Sequence, residues 1–126
     1  MLQSNLFREK VRPLLCAVNA DAEVGPDATV CEFRLSEEID VVVQGIPSGF
    51  LTVSAVFRKP VDLSDAESLM RLLALNRGDD AYPMVSASLD QRTHRRVIWA
   101  RQPIEQLDGH GVIDLVNRVV ARAVAS

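Results

Sequence analysis

Two histidines, two cysteines, a Glu-Glu pair and an arginine-rich stretch are the residues here whose types could do chemistry. His94 falls in an arginine-rich turn and His110 stands between Gly109 and Gly111. Neither has a Cys, His or Asp partner at the spacing of a metal-ligand set. Both read as solvent-exposed histidines. Gly109-His110-Gly111 is no phosphate loop, because the P-loop pattern and its preceding buried strand are missing. Cys16 and Cys31 each lack a second thiol nearby, and lone cysteines of this kind behave as small buried hydrophobes. Glu37-Glu38 reads as a solvated pair in a hairpin connection rather than an acid/base couple. Ser48-Gly49 and Ser54 lack the setting of an activated nucleophile. The expectation is therefore no catalytic residue, no metal and no cofactor: a protein that is not an enzyme. Arg92, Arg95, Arg96 and Arg101 surround Trp99, a pattern a nucleic-acid binder could use. A net charge of −3 argues against nucleic acid as the main partner.

The elements that would carry these residues are legible from periodicity. The best-delimited is Ser64 to Gly78. Ser64 and Glu67 have capping-box spacing, Leu69, Leu72 and Leu73 form an apolar stripe widened by Met70 and Leu75, and Gly78 stands as terminator. Before it, residues 2 to 20 place Leu2, Leu6, Phe7, Val11, Leu14, Leu15 and Val18 at helical spacing. Pro13 predicts a kink in that helix. After a loop over residues 20 to 28, three alternating runs predict an antiparallel meander: Thr29 to Leu35, Ile39 to Gln44 and Phe50 to Arg58. Val42 is an apolar residue on the nominally wet face. Beyond the central helix, Met84 to Leu89 and Arg95 to Arg101 predict two more strands joined by the polar turn Asp90 to His94. Pro83 fits a strand start and Pro103 a strand end. The last helix carries Val112, Val116, Val119, Val120 and Ala123, widened by Ile113, Leu115 and Val124. The order is α-β-β-β-α-β-β-α, an α+β fold with one antiparallel sheet packed by helices.

Composition sets bounds around this reading. A chain of 126 residues, 48% hydrophobic and 25% charged, suits one globular domain spanning 1–126. Aromatics are only 5%, so Leu, Val, Ile and Ala must build the core. Charge is uneven: acids crowd Asp21 to Asp40 against Arg34 alone, and arginines crowd Arg92 to Arg101 with no acid. Both regions read as solvated edges and turns. No run approaches a membrane span and no signal pattern opens the chain, so a cytosolic protein is expected.

In size, acidity and order of elements the chain resembles the class I type III secretion chaperones of Gram-negative bacteria. The local match is Leu72-Leu73-Ala74-Leu75-Asn76 followed by Gly78, similar to that family's Leu-rich helix end before a glycine-containing loop. Ala17-Val18-Asn19-Ala20 departs from the Leu-Gly-Leu-Pro-like stretch of many members, and Pro13 is also unusual. The resemblance implies a cytoplasmic homodimer that binds the N-terminal segment of a secreted effector, keeps it partly unfolded and delivers it to the secretion ATPase. On that basis Leu2, Leu6, Phe7, Val11, Val41 and Val43 are expected to line an effector groove between the first helix and the meander. Leu69, Met70, Leu72, Leu73, Val97 and Trp99 are expected to form the dimer interface. The competing expectation is an adaptor or regulator of the same fold, binding a folded partner through its basic hairpin.

Overall fold

The computed structural model describes residues 7, 9–14, 30–46, 49–74 and 84–125. Helical residues 7 and 9–14 (α1) precede three strands, β1 (Val30–Arg34), β2 (Ile39–Ile46) and β3 (Phe50–Pro60). Then come α2 (Ala66–Ala74), β4 (Ser86–Leu89), β5 (Arg95–Pro103), a short 3-10 turn (Ile104–Gln106) and α3 (Gly109–Ala125). The strands form one sheet in the order β1-β2-β3-β5-β4, every neighbouring pair antiparallel. This is the expected α+β architecture. Several ends move. Strand β3 runs two residues past Arg58, and β5 continues through Pro103 rather than stopping before it.

Alternation builds one apolar face. Cys31, Val43, Val53 and Ala100 lie side by side across four strands, and Phe33, Val41, Ala55, Ile98 and Ala87 form the next row. Helix α3 covers that face with Val112, Leu115, Val116, Val119 and Ala123, all buried. Helix α1 adds Phe7, Val11 and Leu14 to the same core. Phe7 reaches the sheet where β2 carries Gly45, and a Cβ there would stand 3.1 Å from the Phe7 ring. Pro13 lies within the helical stretch, and its ring packs on the start of α3. A Cβ on Gly109 would fall 2.4 Å from Pro13 Cγ, so glycine permits the contact. Leu2, Leu6, Cys16, Leu75, Gly78 and Pro83 lie outside the described residues, as does any kink beyond Leu14.

The helix starts differ from the expected signals. Ser64 does not cap α2: its N–H and hydroxyl both donate to Asp62, at 2.9 and 2.7 Å. Asp65 caps instead, accepting the Ser68 N–H at 3.2 Å and the Ser68 hydroxyl at 2.7 Å. Glu67, freed from the expected box, accepts from Arg71 one turn on, at 2.8 Å. Helix α3 is capped by Asp108, which accepts the Gly111 N–H at 2.7 Å. Gly109-His110-Gly111 is thus the first turn of a helix.

Candidate functional site

The opposite face of the sheet is half-buried along its centre and exposed at Glu32, Arg34 and Ser88, with rows Glu32, Val42, Ser54, Trp99, Ser86 and Arg34, Asp40, Val56, Val97, Ser88. Val42, noted in sequence as apolar on the wet side, lies in the Trp99 row. Arg58 clamps β2 to β3 on this face, donating through Nη2 to Asp40 Oδ1 and through Nε to Oδ2 at 2.9 Å. Its Nη1 donates to the Glu37 carbonyl at 3.1 Å. The Arg58 hydrogen bonds hold the Asp40 carboxyl below the usual aspartate range.

Among the described residues no strand pairs with the outer edge of β1. The Leu35 N–H donates to the Ile39 carbonyl, which fixes the hydrogen-bonded pairs of this ladder as 33–41 and 31–43. Alternation then turns the N–H and C=O of Glu32 and Arg34 away from β2, toward open space. Such an edge is a template for an added strand.

The residues expected to line an effector groove are placed elsewhere. Phe7, Val11, Val41 and Val43 are each 0% exposed and belong to the core between α1, α3 and the sheet. They have no surface to offer a client. Their alternation and helical spacing mark a buried face equally well, and sequence alone could not choose. The expected dimer residues separate. Leu72 is core at 6% exposure, Leu69 is half-buried, and Met70 and Leu73 stand out at 70% and 69%. Val97 and Trp99 are half-buried on the outer sheet face, across from Val56 and Ser54. Leu63, in the loop before α2, and Met84, just before β4, are exposed as well.

A cleft of about 810 Å³ opens where β3 runs out. Glu37 and Glu38 come from the β1–β2 turn, Phe57 to Pro60 from β3, Asp62 and Asp65 from the loop before α2, and Arg71 and Leu72 from α2 itself. Arg96 lies over the Phe57 ring at 4.0 Å. Sequence reasoning missed this cleft, because its lining comes from residues 37–38, 57–74, 96 and 125, which are far apart in the chain. The β4–β5 turn is held by hydrogen bonds. Asp90 accepts the Arg92 and Thr93 N–H groups at 2.8 and 3.3 Å, and His94 adopts φ 58°. The His94 carbonyl accepts the Val61 N–H at 2.7 Å, tying this turn to the β3–α2 loop. His94 and His110 are exposed, and burial pushes the Cys31 thiol up to about 11, so it stays protonated. Among the described residues no three His, Cys, Asp or Glu side chains gather as a metal site would require, and no helix is long and apolar enough to cross a membrane.

The same arrangement of sheet and helices recurs in known proteins. Residues 22–125 match the Tir chaperone protein (CesT) family; the chain belongs to that family, as the resemblance read from its sequence implied. No curated protein matches it in sequence. Among solved structures, a chain of the ExoT–SpcS complex from Pseudomonas aeruginosa is similar at TM-score 0.70 and 18% identity, over 95% of this chain and 96% of that one. The type III secretion chaperone SycH of Yersinia pestis, solved with a stable fragment of YscM2, is similar at TM-score 0.65 and 15% identity, over 98% of both chains. YbjN from E. coli, described as a candidate transcription regulator, shares the fold at TM-score 0.62 and 16% identity, over 89% of this chain and 82% of that one.

Proposed function

We propose that this chain is a type III secretion chaperone that binds the N-terminal region of a secreted effector, keeps it partly unfolded and delivers it to the secretion apparatus. The observation that carries this reading, beside family membership, is the β1 edge with the outward backbone groups of Glu32 and Arg34. An extended client adds a strand there by main-chain hydrogen bonds, which need no particular client sequence. Binding is non-covalent and the chain works without catalysis. Two copies associate through the α2 surface around Met70 and Leu73, with the secretion ATPase as a downstream partner and the cytoplasm as the place of work. For the client site this reading takes the β1 edge in place of the groove expected at Leu2, Leu6, Phe7, Val11, Val41 and Val43, of which the last four are buried.

Proline at position 32 tests the edge. Its missing N–H faces away from β2, so the sheet ladder keeps its bonds while a client loses one. Glu32→Pro lowers effector recovery in co-purification from the source cell well below that of Glu32→Ala, with the circular dichroism spectrum unchanged. Equal recovery from the two variants removes β1 as the client site.

A second reading, an adaptor for a folded acidic partner, is favoured by the hydrogen-bonded β4–β5 turn, which presents exposed Arg92 and His94 beside half-exposed Arg95 and Arg96. Capture of a folded regulator that is released by Arg92→Ala with Arg96→Ala supports it over the chaperone.

A further inference from the structure

We propose that the cleft between the β1–β2 turn and α2 receives a basic stretch of an extended client, an aliphatic side chain settling against Pro60, Val61 and Leu72 and a neighbouring Lys or Arg reaching Glu37 and Glu38. The inference rests on the chaperone reading and adds a second contact point, with its own chemistry, to the strand-adding edge. The cleft's volume, about 810 Å³, lies in the range of sites that take small ligands or side chains, roughly 300–1,000 Å³. Its lining mixes apolar groups with both signs of charge, and the charges are unequally engaged. Arg58 is held by Asp40, outside the cleft, and Arg71 by Glu67. Arg96 rests on the Phe57 ring. Lys59 is then the one lining cation without an anion or ring partner among the described residues. On the acidic side, Asp62 accepts from Ser64, and Asp65 accepts from Ser68 and the Glu67 N–H with the Arg71 charge nearby, contacts that keep both carboxylates ionised. Glu37 and Glu38 are exposed on the turn, and neither is ion-paired with a described residue. Four carboxylates therefore face two cations that have no carboxylate partner among the described residues, Lys59 and Arg96, beside the apolar groups Phe57, Val61 and Leu72. That balance selects a cationic segment with an apolar neighbour and disfavours an acidic one.

The experiment titrates the isotope-labelled full chain with two acetylated, amidated peptides in a Gly/Ser background, one carrying Leu-Arg and one Leu-Glu. Leu-Arg is expected to shift the backbone amides of residues 37–38, 57–59, 61–62 and 68–74, with the effect fading as salt is raised. The double variant Glu37→Gln, Glu38→Gln alters only exposed side chains, and it should bind Leu-Arg roughly three- to tenfold more weakly. Equal shifts from Leu-Glu, or shifts confined to other residues, overturn the proposal. So does a double variant whose self-association by sedimentation changes while peptide affinity does not, since a second copy then fills the cleft. Client co-purification separates this from the parent reading. A wild type and a double variant that retain the same secreted protein equally remove the cleft and leave the chaperone standing. A wild type that retains no secreted protein removes both.

Discussion

Single residues decide how tightly the described segments meet. Gly109 is the clearest, because its missing Cβ leaves room for the Pro13 ring at a separation no side chain tolerates. Alanine usually stabilises a helix relative to glycine by about 0.5–1 kcal/mol, but here overpacking opposes it and should win. Gly109→Ala is expected to lower stability by about 1–3 kcal/mol in urea unfolding; an unchanged or raised midpoint refutes the contact. Asp40 supplies a pH dependence. Its folded-state carboxyl is held low by Arg58, so the stabilisation is complete above the ordinary aspartate value of about 3.9 and is lost as pH falls through the folded value. Asp40→Asn should unfold at lower temperature than wild type at pH 7, and the two melting curves should converge in acid. A gap of constant size between pH 7 and pH 3 would falsify the assignment. At this scale the sequence was partly misleading. Ser64 has the right spacing for a cap, yet Asp62 lies close enough to take both its donors, and Asp65 has the better-placed carboxylate. Local competition between neighbouring polar side chains leaves no trace in spacing.

Helix α2 shows what its own periodicity hides. Its Leu and Met residues were read as one wide stripe, but only Leu72 is fully turned to the core, with Leu69 at the margin. Met70 and Leu73 cover nothing described in this chain. Exposed methionine and leucine at adjacent helical positions are costly to leave in water, at about 25 cal/mol for each Å² of apolar surface. They are the surface a second copy is expected to cover. Met70→Asp with Leu73→Asp should leave the fold intact, and in sedimentation equilibrium should shift a dimer to monomer at micromolar concentration. Leu72→Asp should instead unfold the chain. If the double variant and wild type sediment alike as dimers, α2 is not the interface. Strand β1 behaves differently: its alternation was legible, but its role as an edge depends on strand order, which alternation does not encode.

The order of elements over the whole molecule was legible because strands and helices alternate with clear turns, and because family-like topology accompanies that order. What the sequence left open was which apolar face each element turns inward. Phe7, Val11, Val41 and Val43 have the pattern of a groove and the environment of a core, and only the packing of α1 and α3 on the same side of the sheet separates the two. The strand order has a further consequence. Strand β3 sits in the middle of the sheet, but its second neighbour is β5, not β4. During synthesis the β1–β2–β3 meander leaves the ribosome first, while α2, β4 and β5 are still to be made. At ordinary translation rates of about 5–20 residues per second, the finished meander waits some seconds with the long flank of β3 unclaimed. For that interval the second border of the sheet is the long flank of β3, where the finished sheet ends on the short β4. A ribosome stalled before Arg95 would therefore hold a fragment that pairs with whatever strand is nearest, including the meander of the chain beside it on the same messenger.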